Sequence, residues 1–204
     1  MAEAIERWKT EYLPARRKYI YNTQIVGHGG EIPLPQTGGE PTTNYFSLVA
    51  NKAAAKVLVP TNGNLGATWT GSPSFEPFDT TGWLSGPTGV GYDRATAYDS
   101  LIGVDVGRQM RSNTSVYIRI DFDVSDPALV DLLELRIKYD DGFVAFLNGE
   151  QLVSANSPAS PGWNSSARVA HGANPRAYIK FDVSDKKGKL RKGRNVLAIQ
   201  GLNN

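Results

Sequence analysis

The chain is 204 residues long, 40% hydrophobic and 21% charged, with 21 glycines and 12 prolines, which suits a turn-rich β protein of one large domain, or of one domain plus an appendage. Its formal net charge of +2, without a basic stripe interleaved with aromatics, argues against a nucleic-acid partner. The lack of cysteine excludes disulfides, thiolate metal ligands and cysteine nucleophiles, and no apolar run reaches the roughly 20 residues of a membrane span.

Residues 2–21 read as a helix, with Ile5, Trp8 and Tyr12 at i, i+3 and i+7 and charged residues between them. Pro14 kinks or restarts it, because proline has no amide hydrogen to donate. Arg16, Arg17 and Lys18 suit a solvated face near a helix C-terminus, where the dipole favours cations; the sharper alternative is an anionic partner. Residues 22–43 contain GHGGEIPLPQTGGEPTT and read as a Gly/Pro-rich linker or a strap.

The β domain is expected over 44–204. YFSLVA and AKVLVP are its first strand candidates, the second ended by Pro60 and Asn62-Gly63. From Gly66 to about Arg111 the chain is turn-rich, yet holds Trp69, Phe75, Phe78, Trp83 and Tyr92. A loop of that length is either functional or packed by its own side chains. Most of these rings are expected to anchor it to the sandwich, with Trp83 in the core.

Val116, Ile118, Ile120, Phe122 and Val124 alternate with Tyr117, Arg119, Asp121 and Asp123, the period of a half-buried strand. Ser125-Asp126-Pro127 closes it. Leu133–Val153 then reads as three strands and two turns, an antiparallel meander. In its first strand Leu133, Leu135, Ile137 and Tyr139 alternate with Glu134, Arg136 and Lys138. Asp140-Asp141-Gly142 breaks the run. Phe143–Leu147 is apolar on both faces, so it belongs inside a sheet covered on both sides. Asn148-Gly149 is a strong hairpin signal, since a type I′ turn needs positive φ at both positions. A loop carrying Trp163 follows, then a strand over Tyr178–Val183, a turn at Lys192-Gly193 and an apolar strand over Asn195–Leu202. FDVSD occurs twice, at Phe122–Asp126 and Phe181–Asp185, each time as a strand exit. About ten short strands with turns between them, and no helix inside the domain, predict an all-β antiparallel sandwich. The pattern leaves jelly-roll and immunoglobulin topologies both open.

YDDGFVAFLNGEQLV at Tyr139–Val153, followed by LRKGRNVLAIQGLN at Leu190–Asn203, resembles the galactose-binding-like jelly roll. That fold serves as the sugar-binding domain of family 2 glycoside hydrolases and as many carbohydrate-binding modules. The order Trp69, FDTTGWLSGPTGVGYD, VYIRIDFDV, YDDGFVAFLNG and NVLAIQGLN is similar to a domain of large secreted bacterial proteins that also carry lamin-tail and CotH-type kinase domains. WKTEYLPARRKYIYNTQIV with EIPLPQ after it resembles the tail following a CotH-like region. The resemblance covers most of 44–204 and implies an extracellular or cell-surface setting, with the other domains of a parent protein as neighbours and any signal peptide lying outside this sequence. The family pattern continues past the closing Asn with a further acidic, apolar strand, whereas this sequence stops at Asn204. A truncated chain with an uncovered sheet edge is the expectation.

Enzyme chemistry finds little support. His28 and His171 sit beside glycines in loop-like stretches, no serine lies in a nucleophile elbow, and no phosphate-cradling glycine loop is followed by Lys-Ser or Lys-Thr. Adjacent carboxylates such as Asp140 and Asp141 do not flank a glycosidic bond from opposite sides at roughly 5–10 Å. A binding module fits better. Sugar sites pair an aromatic platform with carboxylates and amides that hydrogen-bond hydroxyls. Trp163 and Tyr92 are the candidate platforms, and Asp140, Asp141, Arg94 and Asn164 the candidate polar groups. The plainer alternatives are a self-capping turn for Asp140-Asp141 and a loop anchor for Trp163. The resemblance also implies a structural Ca²⁺ held by loop oxygens, with Asp79, Asp93, Asp99 and Asp105 as ligands. The function expected is non-catalytic glycan binding; the alternative is a spacer or protein-docking sandwich without a small ligand, marked by packed rather than exposed aromatics.

Overall fold

Ten strands joined by turns and short 3-10 segments make up the residues described by the computed structural model, 45–94, 97–170 and 177–204. Ser47–Asn204 forms one compact unit. The helix expected over 2–21, the linker over 22–43 and both histidines lie outside the described residues.

The strands are β1 (Ala54–Leu58), β2 (Leu84–Pro87), β3 (Val90–Gly91), β4 (Val104–Asp105), β5 (Ser115–Val124), β6 (Glu134–Ile137), β7 (Gly142–Leu147), β8 (Glu150–Ala155), β9 (Ile179–Asp182) and β10 (Gly193–Leu202). Six of them form one antiparallel sheet in the order β2-β1-β5-β10-β7-β8. Its spine is the pairing of β5 with β10, in register from Ser115↔Leu202 to Val124↔Gly193. β6 and β9 form a separate antiparallel ribbon, and β3 and β4 a short parallel pair. The fold is all-β, as the alternation predicts.

Side-chain alternation sorts the large sheet into two faces. Val57, Val116, Ile120, Phe143, Ala145, Leu197 and Ile199 point to one side, in one cluster with Leu135, Ile137 and Phe181 of the ribbon and Val104 of β4. Phe143 packs edge-on to Tyr139 and Phe181, with centroids 4.9 and 5.6 Å away. Each fully buried Val or Phe here contributes about 1.5–3 kcal/mol. The opposite face carries Tyr117, Val196 and Ala198, covered by Trp69, Leu65, Phe78 and Trp83 of the long loop. Trp69 stacks on Tyr117 at 3.9 Å and 7°. That loop is therefore a lid packed by its own aromatics, and Trp83 joins its cluster as expected. Within the stretch expected to be irregular the structure also places β2, β3 and β4.

Two expectations need correction. YFSLVA forms no strand. The stretch Leu133–Val153 is not a meander, because β6 pairs with β9, while β7 pairs with β10 and β8. Leu135 and Ile137 face Phe143 and Ala145 across the core, so Asp140-Asp141 forms an arch between layers rather than a hairpin. The second turn is a hairpin, with Asn148 at φ 51° and Gly149 at φ 90°, the positive values a type I′ turn requires. Both FDVSD copies carry a strand into a 3-10 turn, Pro127–Leu129 after β5 and Ser184–Lys189 after β9.

Candidate functional site

The register places several strand ends together. Ser115 at the start of β5 pairs with Leu202 at the end of β10, and Leu202 pairs with Gly142 at the start of β7. Phe143 in turn pairs with Ala155 at the end of β8. One end of the sheet therefore gathers the Asp140-Asp141 arch, the loop from Asn156 through Trp163 and Asn164, and the terminal Asn203-Asn204.

Hydrogen bonds knit this end. The Asn164 side-chain oxygen accepts the amides of Thr114 (2.8 Å) and Ser115 (3.3 Å), and its carbonyl accepts the Thr114 hydroxyl at 2.7 Å. The Asn203 amide donates to the Thr114 carbonyl at 2.8 Å, and the Ala167 amide to the Asn203 carbonyl at 3.1 Å. The Asn204 amide donates to Asp141 Oδ2 at 2.7 Å, while Asn156 Nδ2 donates to the Asp141 carbonyl at 3.1 Å. Beneath them Gln200 Nε2 donates to Ser115 Oγ (3.0 Å) and to the Gly162 carbonyl (2.8 Å). These bonds satisfy loop backbone that packing would otherwise leave without partners.

Trp163 stands on this frame. Its carbonyl accepts the Tyr117 hydroxyl at 3.3 Å, whose pKa burial pushes up. The pyrrole edge of the indole lies against Gly63, where an added Cβ would sit 2.9 Å from Cδ1. The residue as a whole is 38% exposed. Trp163 is thus a loop anchor along one edge and partly exposed as a residue. Asp140 is exposed and Asp141 half-buried, joined by a cis peptide bond. A partly exposed indole can stack on the apolar face of a pyranose, and amides and carboxylates are the groups that hydrogen-bond its hydroxyls.

The structure thus places Trp163 and Asn164 at the same end of the sheet as the Asp140-Asp141 arch. Tyr92 lies elsewhere: it follows β3 and packs on the inner core beside Gly107, across the sheet from Tyr117 and the Trp163 carbonyl. Arg94 is exposed just beyond it. The acids considered for calcium serve local turns. Asp79 accepts the Thr81 amide at 2.8 Å, Asp93 that of Tyr98 at 2.9 Å, and Asp105 that of Gly107 at 2.8 Å. Hydrogen bonds from the Thr81 side chain and amide hold the Asp79 carboxyl below its usual range. Asp99 opens the 3-10 turn Asp99–Leu101. Among the described residues no group of three or more His, Cys, Asp or Glu side chains is gathered to hold a metal.

Sequence reasoning missed an ionic network on the outer face. Arg119, 3% exposed, donates to the Trp69 carbonyl (2.5 Å) and to Glu76 Oε1 (2.6 Å), and lies 4.8 Å from the Phe78 centroid. Glu76 also meets Arg194 at 3.0 Å, and Arg194 meets Asp121 at 3.1 Å. Burial by itself would raise the Glu76 pKa; hydrogen bonds from Arg119 and the Phe78 amide, with the charges of Arg119 and Arg194, outweigh it and hold the carboxyl below its usual range. The only sequence signal was an arginine on the polar side of β5 opposite an aromatic-rich loop.

Neither a protein-family model nor a curated protein matches the chain. Solved structures that it resembles include a β-glucuronidase from an uncultured Clostridium species, at 16% identity and TM-score 0.43, over 74% of this chain and 21% of that one. Another is the β-glucuronidase from Ruminococcus gnavus in complex with a C6-substituted uronic isofagomine, at 13% identity and TM-score 0.45, over 80% of this chain and 23% of that one. The chain spans between a fifth and a quarter of the length of these two structures.

Proposed function

We propose that this chain is a non-catalytic glycan-binding module, working as one domain of a larger extracellular protein. The observation that carries the reading is the placement of Trp163, Asn164, Asp140 and Asp141 at one end of the sandwich, with Trp163 38% exposed. In this reading the Trp163 ring is the platform for a sugar ring, and the arch carboxylates and neighbouring amides select hydroxyls. The galactose-binding-like jelly-roll assignment and the association with CotH-type kinase and lamin-tail domains rest on sequence motifs alone and belong to the same proposal. No helix among the described residues is long and apolar enough to cross a membrane.

A second reading, a spacer or protein-docking sandwich, draws on the use of Asn164 and Asp141 to bind the protein's own backbone. Binding of the full chain to a polysaccharide panel, with and without calcium, separates the two. Retention of at least one sugar class by the wild type, lost in Trp163→Ala while the fold persists, is the expected result. A blank panel for the folded protein in both metal conditions refutes glycan binding and leaves the spacer.

A further inference from the structure

Two stretches of the chain, 57–75 and 151–167, contain no Asp, Glu, Lys, Arg or His, in a sequence that is 21% charged. The fold brings them into contact. The Gly63 backbone lies against the Trp163 indole, where an added Cβ would come within 2.9 Å of Cδ1, 3.4 Å of Cγ and 3.6 Å of Nε1. Gly63 has no left-handed φ that would call for glycine; the close approach of the ring does.

The turn around Gly63 is built to stay in place. Pro60 at its start is fully buried, and Leu65 at its end packs beside Trp69 and Tyr117. Between these anchors Thr61, Asn62, Gly63 and Asn64 are all exposed. Asn62 Oδ1 accepts the Asn64 amide at 3.0 Å, and the Gly63 carbonyl accepts the Gly66 amide at 3.0 Å. Tyr117 fixes the facing loop too, through its hydroxyl on the Trp163 carbonyl at 3.3 Å. One residue therefore holds both loops, and their spacing is set before any ligand arrives.

Polar groups are left over at this contact. Among the described residues no protein partner meets Asn62 Nδ2, the Asn64 carboxamide or the Trp163 indole N–H. Exposed carboxamides are common on any protein surface. These two differ in flanking the one residue that packs on a partly exposed indole.

We propose that Thr61–Asn64 is the second wall of the Trp163 site and that the two walls take a neutral sugar, its ring on the indole and its hydroxyls on the Asn62 and Asn64 carboxamides. The proposal rests on the glycan-binding reading and names its ligand class. A carboxamide donates and accepts, which matches a hydroxyl that does the same. A uronate or sulfate is held most strongly by a charged donor such as Arg or Lys, and neither stretch supplies one.

The test measures binding of the full chain to xylan, mannan, galactan and β-glucan, with polygalacturonate and dextran sulfate as the acidic comparison. The wild type is expected to bind a neutral polysaccharide in preference to both acidic ones. Asn62→Asp keeps the oxygen that caps the Asn64 amide but loses the Nδ2 donor, so it should weaken binding about fivefold while Tm stays within about 1 °C. Asn64→Ala should weaken it by a similar factor. Asn51→Asp, the same change at an exposed turn before the other end of β1, should leave affinity within about twofold. In nitrogen-labelled protein the bound sugar should shift the side-chain amide signals of Asn62 and Asn64 together with the Trp163 indole N–H. Neutral binding that is lost in Trp163→Ala but kept in Asn62→Asp and Asn64→Ala overturns the second wall alone, as does an equal loss in Asn51→Asp. Tighter binding to polygalacturonate or dextran sulfate overturns the neutral ligand class. No polysaccharide binding of either kind overturns the glycan reading with it.

Discussion

Glu76→Gln tests how the aromatic loop is held on the sheet. The Arg119 guanidinium is 3% exposed and has two oxygen partners, Trp69 O at 2.5 Å and Glu76 Oε1 at 2.6 Å, besides the Phe78 ring. Removing the carboxylate charge leaves a buried cation facing one carbonyl and one ring. Breaking a fully buried pair costs about 3–5 kcal/mol. Glu76 keeps 15% exposure and glutamine retains one acceptor oxygen, so about 2 kcal/mol is expected. At about 2–4 °C per kcal/mol for a domain of this size, Tm falls by about 4–8 °C. The pH dependence has a definite sign. The folded Glu76 pKa lies below its unfolded value, so its stabilisation is complete above the unfolded pKa and disappears as pH falls through the folded one. Calorimetry of wild type and variant across the acid range should therefore give curves that differ near neutrality and converge in acid. A Tm change under about 1 °C at neutral pH, or a gap that does not close in acid, refutes this account of the loop.

Gly71 has φ +90°, and a Cβ there would lie 2.6 Å from Val196 Cβ, whereas Gly82 at φ +80° has nothing within 4 Å. Gly71→Ala should cost about 2–3 kcal/mol and Gly82→Ala about 1–2 kcal/mol by chemical denaturation; equal losses would show that backbone strain alone accounts for both. Asn164→Ala removes the acceptor for the Thr114 and Ser115 amides and should cost about 1–2 kcal/mol. Those two amides should then exchange faster with solvent, and unchanged protection would refute the pinning role of Asn164.

Local chemistry made much of this protein legible. The alternation along β5 identifies its core face because side chains of a strand point to opposite sides at every step, and Val116, Ile118, Ile120 and Phe122 do pack on the inner cluster. Asn148-Gly149 specifies its hairpin because the turn needs left-handed backbone at both positions. Trp163, Asn164, Asp140 and Asp141, the residues of the proposed site, are legible in the sequence only as residue types placed in loops. Tertiary structure decided what depends on partners distant in sequence. Asp140-Asp141 looks like a hairpin turn, and only the pairing of β6 with β9 makes it an arch between layers. Arg119 occupies a position on β5 that alternation assigns to solvent, yet Glu76, 43 residues away, and Trp69, 50 residues away, enclose it. Lys138 and Tyr178 become neighbours solely through the β6–β9 register. Period and turn chemistry are written in adjacent residues; which surface covers which depends on contacts between segments far apart in the chain, and no local pattern encodes them.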